Sequence, residues 1–97
     1  MELTSKERAK LKSLASVETA IFQIGKNSLT PEMIEGIDQA LNARELIKLS
    51  VLKNCADNVR TLANTIAERT HSVVVTVIGK KIVLYRPSKK DIIKLRG

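Results

Sequence analysis

The residues best equipped for chemistry are few in this chain. His71 is the single histidine and Cys55 the single cysteine of 97 residues. One of each cannot make a His/Cys metal cluster or an intramolecular disulfide. A Cys–His nucleophile pair is formally available, but nothing in the spacing favours it. The pattern puts Cys55 at a loop edge and His71 at the exposed end of a helix. Glu32, Glu35 and Asp38 recur at three-residue steps along one helix. General acid–base work requires a buried carboxyl pair with separated pKa values, and this spacing describes a solvated face instead. The sequence points away from an enzyme, and no cofactor or metal is expected.

The segment Gly25-Lys26-Asn27-Ser28 is more informative. It falls between a strand pattern and the start of a capped helix, where unpaired backbone N–H groups and the positive end of the helix dipole collect. Gly25 can take φ > 0 and leaves a phosphate room to approach the backbone. Lys26 adds a mobile charge, and Asn27 and Ser28 add donors. A second glycine and a Gly-Lys-Ser/Thr run at P-loop spacing are absent, so a nucleotide-binding loop is excluded. An ordinary β-to-α turn has the same composition, and the loop alone leaves both readings open.

The elements that must position this loop follow from periodicity. Thr4-Ser5-Lys6-Glu7 fits a capping box and opens a helix over about 5–15, with Leu11, Leu14 and Ala15 along its apolar edge. Residues 20–24 alternate as a strand. Thr30-Pro31-Glu32 supplies an N-cap, an N1 proline and a first-turn acid, and Ile34, Ile37 and Leu41 make the buried stripe of that helix. Residues 46–52 are apolar on both faces, as in a central strand. A third helix covers about 57–69, carried by Val59, Leu62, Ala63 and Ile66. Residues 73–78 and 82–85 form a hairpin around Gly79-Lys80. The order is αβαβαββ: an α/β chain of the two-layer α+β kind, with a four-stranded mixed sheet. Its first three strands are joined by parallel crossovers and its fourth is antiparallel.

Charge narrows the partner. The formal net charge is +7. From position 79 onward Lys80, Lys81, Arg86, Lys89, Lys90, Lys94 and Arg96 face only Asp91, and the first helix adds Lys6, Arg8, Lys10 and Lys12. Such polarisation fits a polyanion. A membrane is the weaker candidate, because no apolar run nears the roughly 20 residues of a membrane span. Residues 1–12 are polar and do not read as a secretory signal. With a lone cysteine, the cytoplasm is the expected compartment. Phe22 and Tyr85 are the only aromatic residues, and Phe22 sits on a core strand. An aromatic stacking platform is therefore not expected, and recognition should rest on phosphate contacts, loop donors and RNA shape.

Four segments then resemble a known family. They are Leu3-Thr4-Ser5-Lys6 with Leu11-Lys12-Ser13-Leu14-Ala15, Ile24-Gly25-Lys26-Asn27-Ser28-Leu29-Thr30, Glu45-Leu46-Ile47-Lys48, and Val77-Ile78-Gly79-Lys80-Lys81-Ile82-Val83-Leu84-Tyr85-Arg86-Pro87-Ser88. Together they resemble the CRM domain (chloroplast RNA splicing and ribosome maturation), in particular its bacterial stand-alone, YhbY-type members. The resemblance implies a four-stranded sheet with three helices, similar to the C-terminal domain of translation initiation factor 3. It also implies RNA binding through a GxxG loop and association with precursors of the large ribosomal subunit. The family loop usually reads Gly-Lys-x-Gly. Here Ser28 stands last, where a Cβ would strain a positive φ and where the hydroxyl is placed for a phosphate or for the following helix cap.

The resulting expectation is one domain over 1–97, with a basic tail from about residue 88. It is a monomeric, cytoplasmic, non-enzymatic RNA-binding protein that acts on ribosomal RNA or large-subunit precursors, with no membrane and no small-molecule substrate. The expected RNA contacts are Gly25, Lys26, Asn27 and Ser28, extended by Lys6, Lys12, Lys80, Lys81, Arg86, Lys89 and Lys90. Two other readings remain open: an RNA binder of the small subunit or of initiation, and a protein adaptor whose basic face meets an acidic partner.

Overall fold

A computed structural model describes residues 2–95. Met1, Arg96 and Gly97 lie outside it, so the Arg96 charge of the basic tail is outside the described residues. The elements are α1 (Ser5–Ala15), β1 (Phe22–Ile24), α2 (Pro31–Arg44), β2 (Leu46–Val51), α3 (Val59–Thr70), β3 (Val73–Ile78) and β4 (Lys81–Tyr85).

The helix starts follow the caps written in the sequence. The Glu7 N–H donates to Thr4 Oγ1 at 3.0 Å and the Thr4 N–H donates to Glu7 Oε1 at 2.9 Å, which completes the capping box of α1. Thr30 and Asn58 cap α2 and α3 by accepting from the N–H groups of Met33 and Thr61. Pro31 occupies the first turn of α2, where no intrahelical donor is needed.

The four strands lie in the order β1-β2-β4-β3. β1 runs parallel to β2, while β4 is antiparallel to both β2 and β3. The hairpin strand β4 is thus inserted between β2 and β3, which point the same way without touching. Its Ile82, Val83, Leu84 and Tyr85 are all buried, as a central strand requires. A register shift between Val74 and Thr76 marks an irregularity on the edge strand β3. The first strand covers only three residues of the expected 20–24, although the Ile21 N–H still donates to Lys48 O at 2.9 Å.

Alternation divides the core in two. Ile24, Ile47, Leu49, Ile82 and Leu84 face α2 and α3, meeting Ile37, Leu41, Leu62, Ala63 and Ile66. Leu46, Val75, Val83 and Tyr85 face the other way and meet Leu11 and Ala15 of α1. The two-layer arrangement is present, and α1 adds cover to half of the second face. Leu14 turns outward from the expected apolar edge and is exposed. A buried Leu or Ile side chain contributes roughly 1.5–3 kcal/mol, so Leu11 alone is a substantial tether for α1. Gly36 on α2 has a packing role: a Cβ there would lie 3.2 Å from the Phe22 ring.

Candidate nucleic-acid interface

Parallel pairing of β1 and β2 places their C-terminal ends side by side, Ile24 opposite Val51. Antiparallel pairing then brings the start of β4 to the same end, with Lys81 opposite Ser50 and also opposite Ile78 of β3. Three connections therefore emerge together: the loop 25–30 before α2, the loop 52–58 before α3, and the Gly79-Lys80 turn. The N-termini of α2 and α3 open at this end as well.

The Gly25–Ser28 segment is a tight turn, closed by the Ser28 N–H donating to Gly25 O at 2.9 Å. Ser28 takes the left-handed conformation, φ 52°. The backbone shape expected of a glycine at that position is thus kept by a serine. Its hydroxyl does not cap α2, because Thr30 does so. Gly25 has no positive φ; Gly79 is the described glycine that does. The reason for glycine at 25 is a neighbour instead. A Cβ there would meet Asn54 Oδ1 at 3.3 Å and Leu52 Cδ1 at 3.4 Å, so the missing side chain lets two loops close on each other. The vacant side of Gly25 faces the 52–54 loop, a packing reason for glycine that differs from the expected room for a phosphate.

Lys26, Lys80 and Lys81 are exposed at this end, and Lys53 joins them from the second loop. The Lys81 ammonium donates to Ser50 Oγ at 3.0 Å. Sequence reasoning missed Lys53 and Asn54, because their closeness to Gly25 arises only from β1–β2 pairing. The signal was available: two loops that follow adjacent parallel strands must emerge together.

The remaining expected contacts lie elsewhere. Tyr85, the last residue of β4, pairs with Leu46 and Val73, at the opposite end of the sheet. Four strand steps along β4 separate the two ends, roughly 14 Å. Lys89 and Lys90 follow Tyr85 and belong to that far end. Lys6 and Lys12 are exposed on α1, which crosses the far half of the sheet. Arg8 of the same helix is turned inward and donates to the Val74 and Val75 carbonyls.

Arg86 has a structural role that the sequence does not show. Its guanidinium donates to Asp38 Oδ1 at 2.6 Å, Asp38 O at 2.9 Å, Asn42 Oδ1 at 2.9 Å and Thr70 O at 2.5 Å. Named among the expected RNA contacts, this side chain ties β4 to α2 and to the end of α3. Asp38, read as part of a solvated face, is its ion-pair partner.

Glu45 was not singled out as an individual site. It is 0% exposed and left-handed at φ 67°. Its carboxylate accepts from the Ser88 N–H at 2.7 Å, the Ser88 hydroxyl at 2.6 Å and the Ile93 N–H at 2.9 Å. Burial pushes its pKa up, but the bonds from the Ser88 hydroxyl and from the Ile93 and Ser88 backbone outweigh that. The carboxyl is held below its ordinary value. It anchors the start of the basic tail against α2 and β2. An open, mainly apolar groove lies beside it, lined by Leu14, Val17, Ala43, Leu46, Ile92 and Ile93 and bordered by Glu18 and Arg44. No cluster of metal-ligating residues occurs among the described residues. No described helix is long and apolar enough to cross a membrane.

A small α/β domain that gathers lysines from two closed loops and a hairpin turn at one end of its sheet is of a class suited to a polyanion. The chain is a member of the CRS1/YhbY (CRM) domain family, whose model matches residues 3–86. It is 44% identical over 89 residues to the probable RNA-binding protein YqeI of Bacillus subtilis (strain 168), covering 92% of this chain and 93% of that protein. An RNA-binding protein of Haemophilus influenzae is 36% identical over 93 residues, with 96% and 94% covered. The solution structure of SAV1595 from Staphylococcus aureus, a proposed RNA-binding protein, superposes with a TM-score of 0.77. It shares 49% identity, and the match covers 91% of this chain and 92% of that one.

Proposed function

We propose that this chain binds structured ribosomal RNA in the cytoplasm during assembly of the large ribosomal subunit, as a binding protein rather than a catalyst. The observation that carries RNA binding is the convergence of Lys26, Lys53, Lys80 and Lys81 on the end of the sheet where α2 and α3 begin. Four exposed cations beside two helix N-termini suit a phosphate backbone. The RNA-binding names of the two bacterial relatives agree with this reading. The ribosomal target rests on the likeness to YhbY-type family members.

Phe22 packs against the core and Tyr85 is 1% exposed, so neither offers its ring to a base. Backbone contact and loop donors must therefore supply most of the affinity. Sedimentation tests the target. Tagged protein should co-migrate with large-subunit precursors in a growing culture and leave that fraction when Lys26 is replaced by alanine. Co-migration with mature small subunits would replace the assembly reading with one on the small subunit or initiation.

A further inference from the structure

The sheet face opposite α2 and α3 is only half covered. α1 packs over Leu46, Val75, Val83 and Tyr85 at the far end. Toward the basic end the same face continues as one cross-strand row. Gln23 lies opposite Ser50, Ser50 opposite Lys81, and Lys81 opposite Ile78. Each is next in sequence to a residue that packs into the α2–α3 core, namely Ile24, Leu49, Ile82 and Val77. Alternation therefore turns all four to the uncovered side. Three inter-strand spacings make the row about 14 Å long. Gln23 and Lys81 are exposed and Ile78 is 65% exposed, while Ser50, which accepts from Lys81, is buried.

We propose that this row is the floor of a binding track for an unpaired, single-stranded segment of the structured RNA, continuous with the basic loops. The inference rests on the RNA-binding reading and names the form of RNA and a second set of contacts. The chemistry selects the occupant. Lys81 spends one donor on Ser50 and keeps two for a phosphate. Gln23 carries both a donor and an acceptor for a base edge. Ile78 offers an apolar surface that only an exposed base face can cover. A duplex presents phosphates and 2′-hydroxyls to a protein, with its base faces stacked away, so Ile78 gains nothing from it. Lys26, Lys53 and Lys80 border the row where the strands end and supply the electrostatic margin. An acidic protein would also meet those lysines, but it would make no distinction between single-stranded and duplex RNA competitors.

The test compares a single-stranded RNA oligomer with its own duplex, using the full chain. Ile78→Glu alters an exposed edge-strand side chain and should leave the melting temperature unchanged. It should weaken single-strand binding at least tenfold and duplex binding less than twofold. Ile78→Thr, which keeps a β-branched residue, should weaken single-strand binding about threefold. A photo-crosslinking benzoylphenylalanine in place of Ile78 should join to a base of the single strand. Equal loss on both RNA forms, or unchanged single-strand affinity in Ile78→Glu while Lys26→Ala weakens binding, would overturn the track and leave the loop reading standing. Absence of binding by the wild-type chain to either RNA would overturn both.

Discussion

Ser28 holds φ 52° at a position where its family usually has glycine. The left-handed conformation costs an L-residue roughly 1–2 kcal/mol, while glycine costs roughly 0.5–1 kcal/mol in chain entropy. The difference sets the sign of a substitution. Ser28→Gly should stabilise the protein by about 0.5 kcal/mol in urea denaturation. Ser28→Val should destabilise it by about 2 kcal/mol, because a β-branched residue tolerates φ > 0 poorly. Equal stability of the two variants would show that the turn relaxes out of the left-handed region. The likeness to a Gly-Lys-x-Gly loop marks position 28, but the sequence leaves open whether a serine keeps the left-handed shape there. The reason for Gly25 was not legible: its neighbours Leu52 and Asn54 come from another loop, and only strand pairing brings them close.

At the level of elements, the local signals were the readable ones. Thr4 with Glu7, and Thr30 with Pro31, place helix starts because a cap is a contact between residues three apart. The position of β4 between β2 and β3 depends on which strands pair, which periodicity does not state. Its unbroken run of Ile82, Val83, Leu84 and Tyr85 was nevertheless the mark of a strand buried on both faces. Arg86 and Glu45 join elements distant in sequence, so neither role showed. Arg86→Ala removes four donated bonds and leaves their acceptors at α2 and α3, at a cost of about 2 kcal/mol. RNA affinity measured well below the melting temperature should stay within twofold, whereas a direct RNA contact would lose it. Glu45 adds a pH dependence. Its folded pKa lies below the ordinary 4.5 of the unfolded chain, so its contribution is fully present above about that pH. The contribution falls away as pH drops through the lower folded value. Glu45→Gln should flatten the acid limb of a stability-versus-pH curve, and an unchanged limb would assign it to other carboxyls.

For the whole molecule the question is where the charge of +7 acts. Composition and order gave the sign of the field and a list of lysines, but not their grouping. The fold sorts them. Lys26, Lys53, Lys80 and Lys81 share one end of the sheet, while Lys6 and Lys12 lie on α1 and Lys89 and Lys90 follow β4 at the other end. Two groups separated by more than a Debye length, about 8 Å at physiological salt, act on a bound strand almost independently. Each phosphate neutralised on a single strand contributes about −0.7 to the slope of log K against log salt. Replacing Lys26, Lys53 and Lys80 together by alanine should therefore reduce the slope by about 2. Replacing Lys6, Lys12 and Lys89 together removes the same charge and should change the slope by less than about 0.7. Fluorescence titrations from 50 to 300 mM salt, roughly the range over which such slopes are resolved, would measure both. Equal losses would mean that net charge alone sets affinity and that the loop end has no privileged contact. A loss confined to the first set would place the phosphates at the loops, where two helices begin and the strands end.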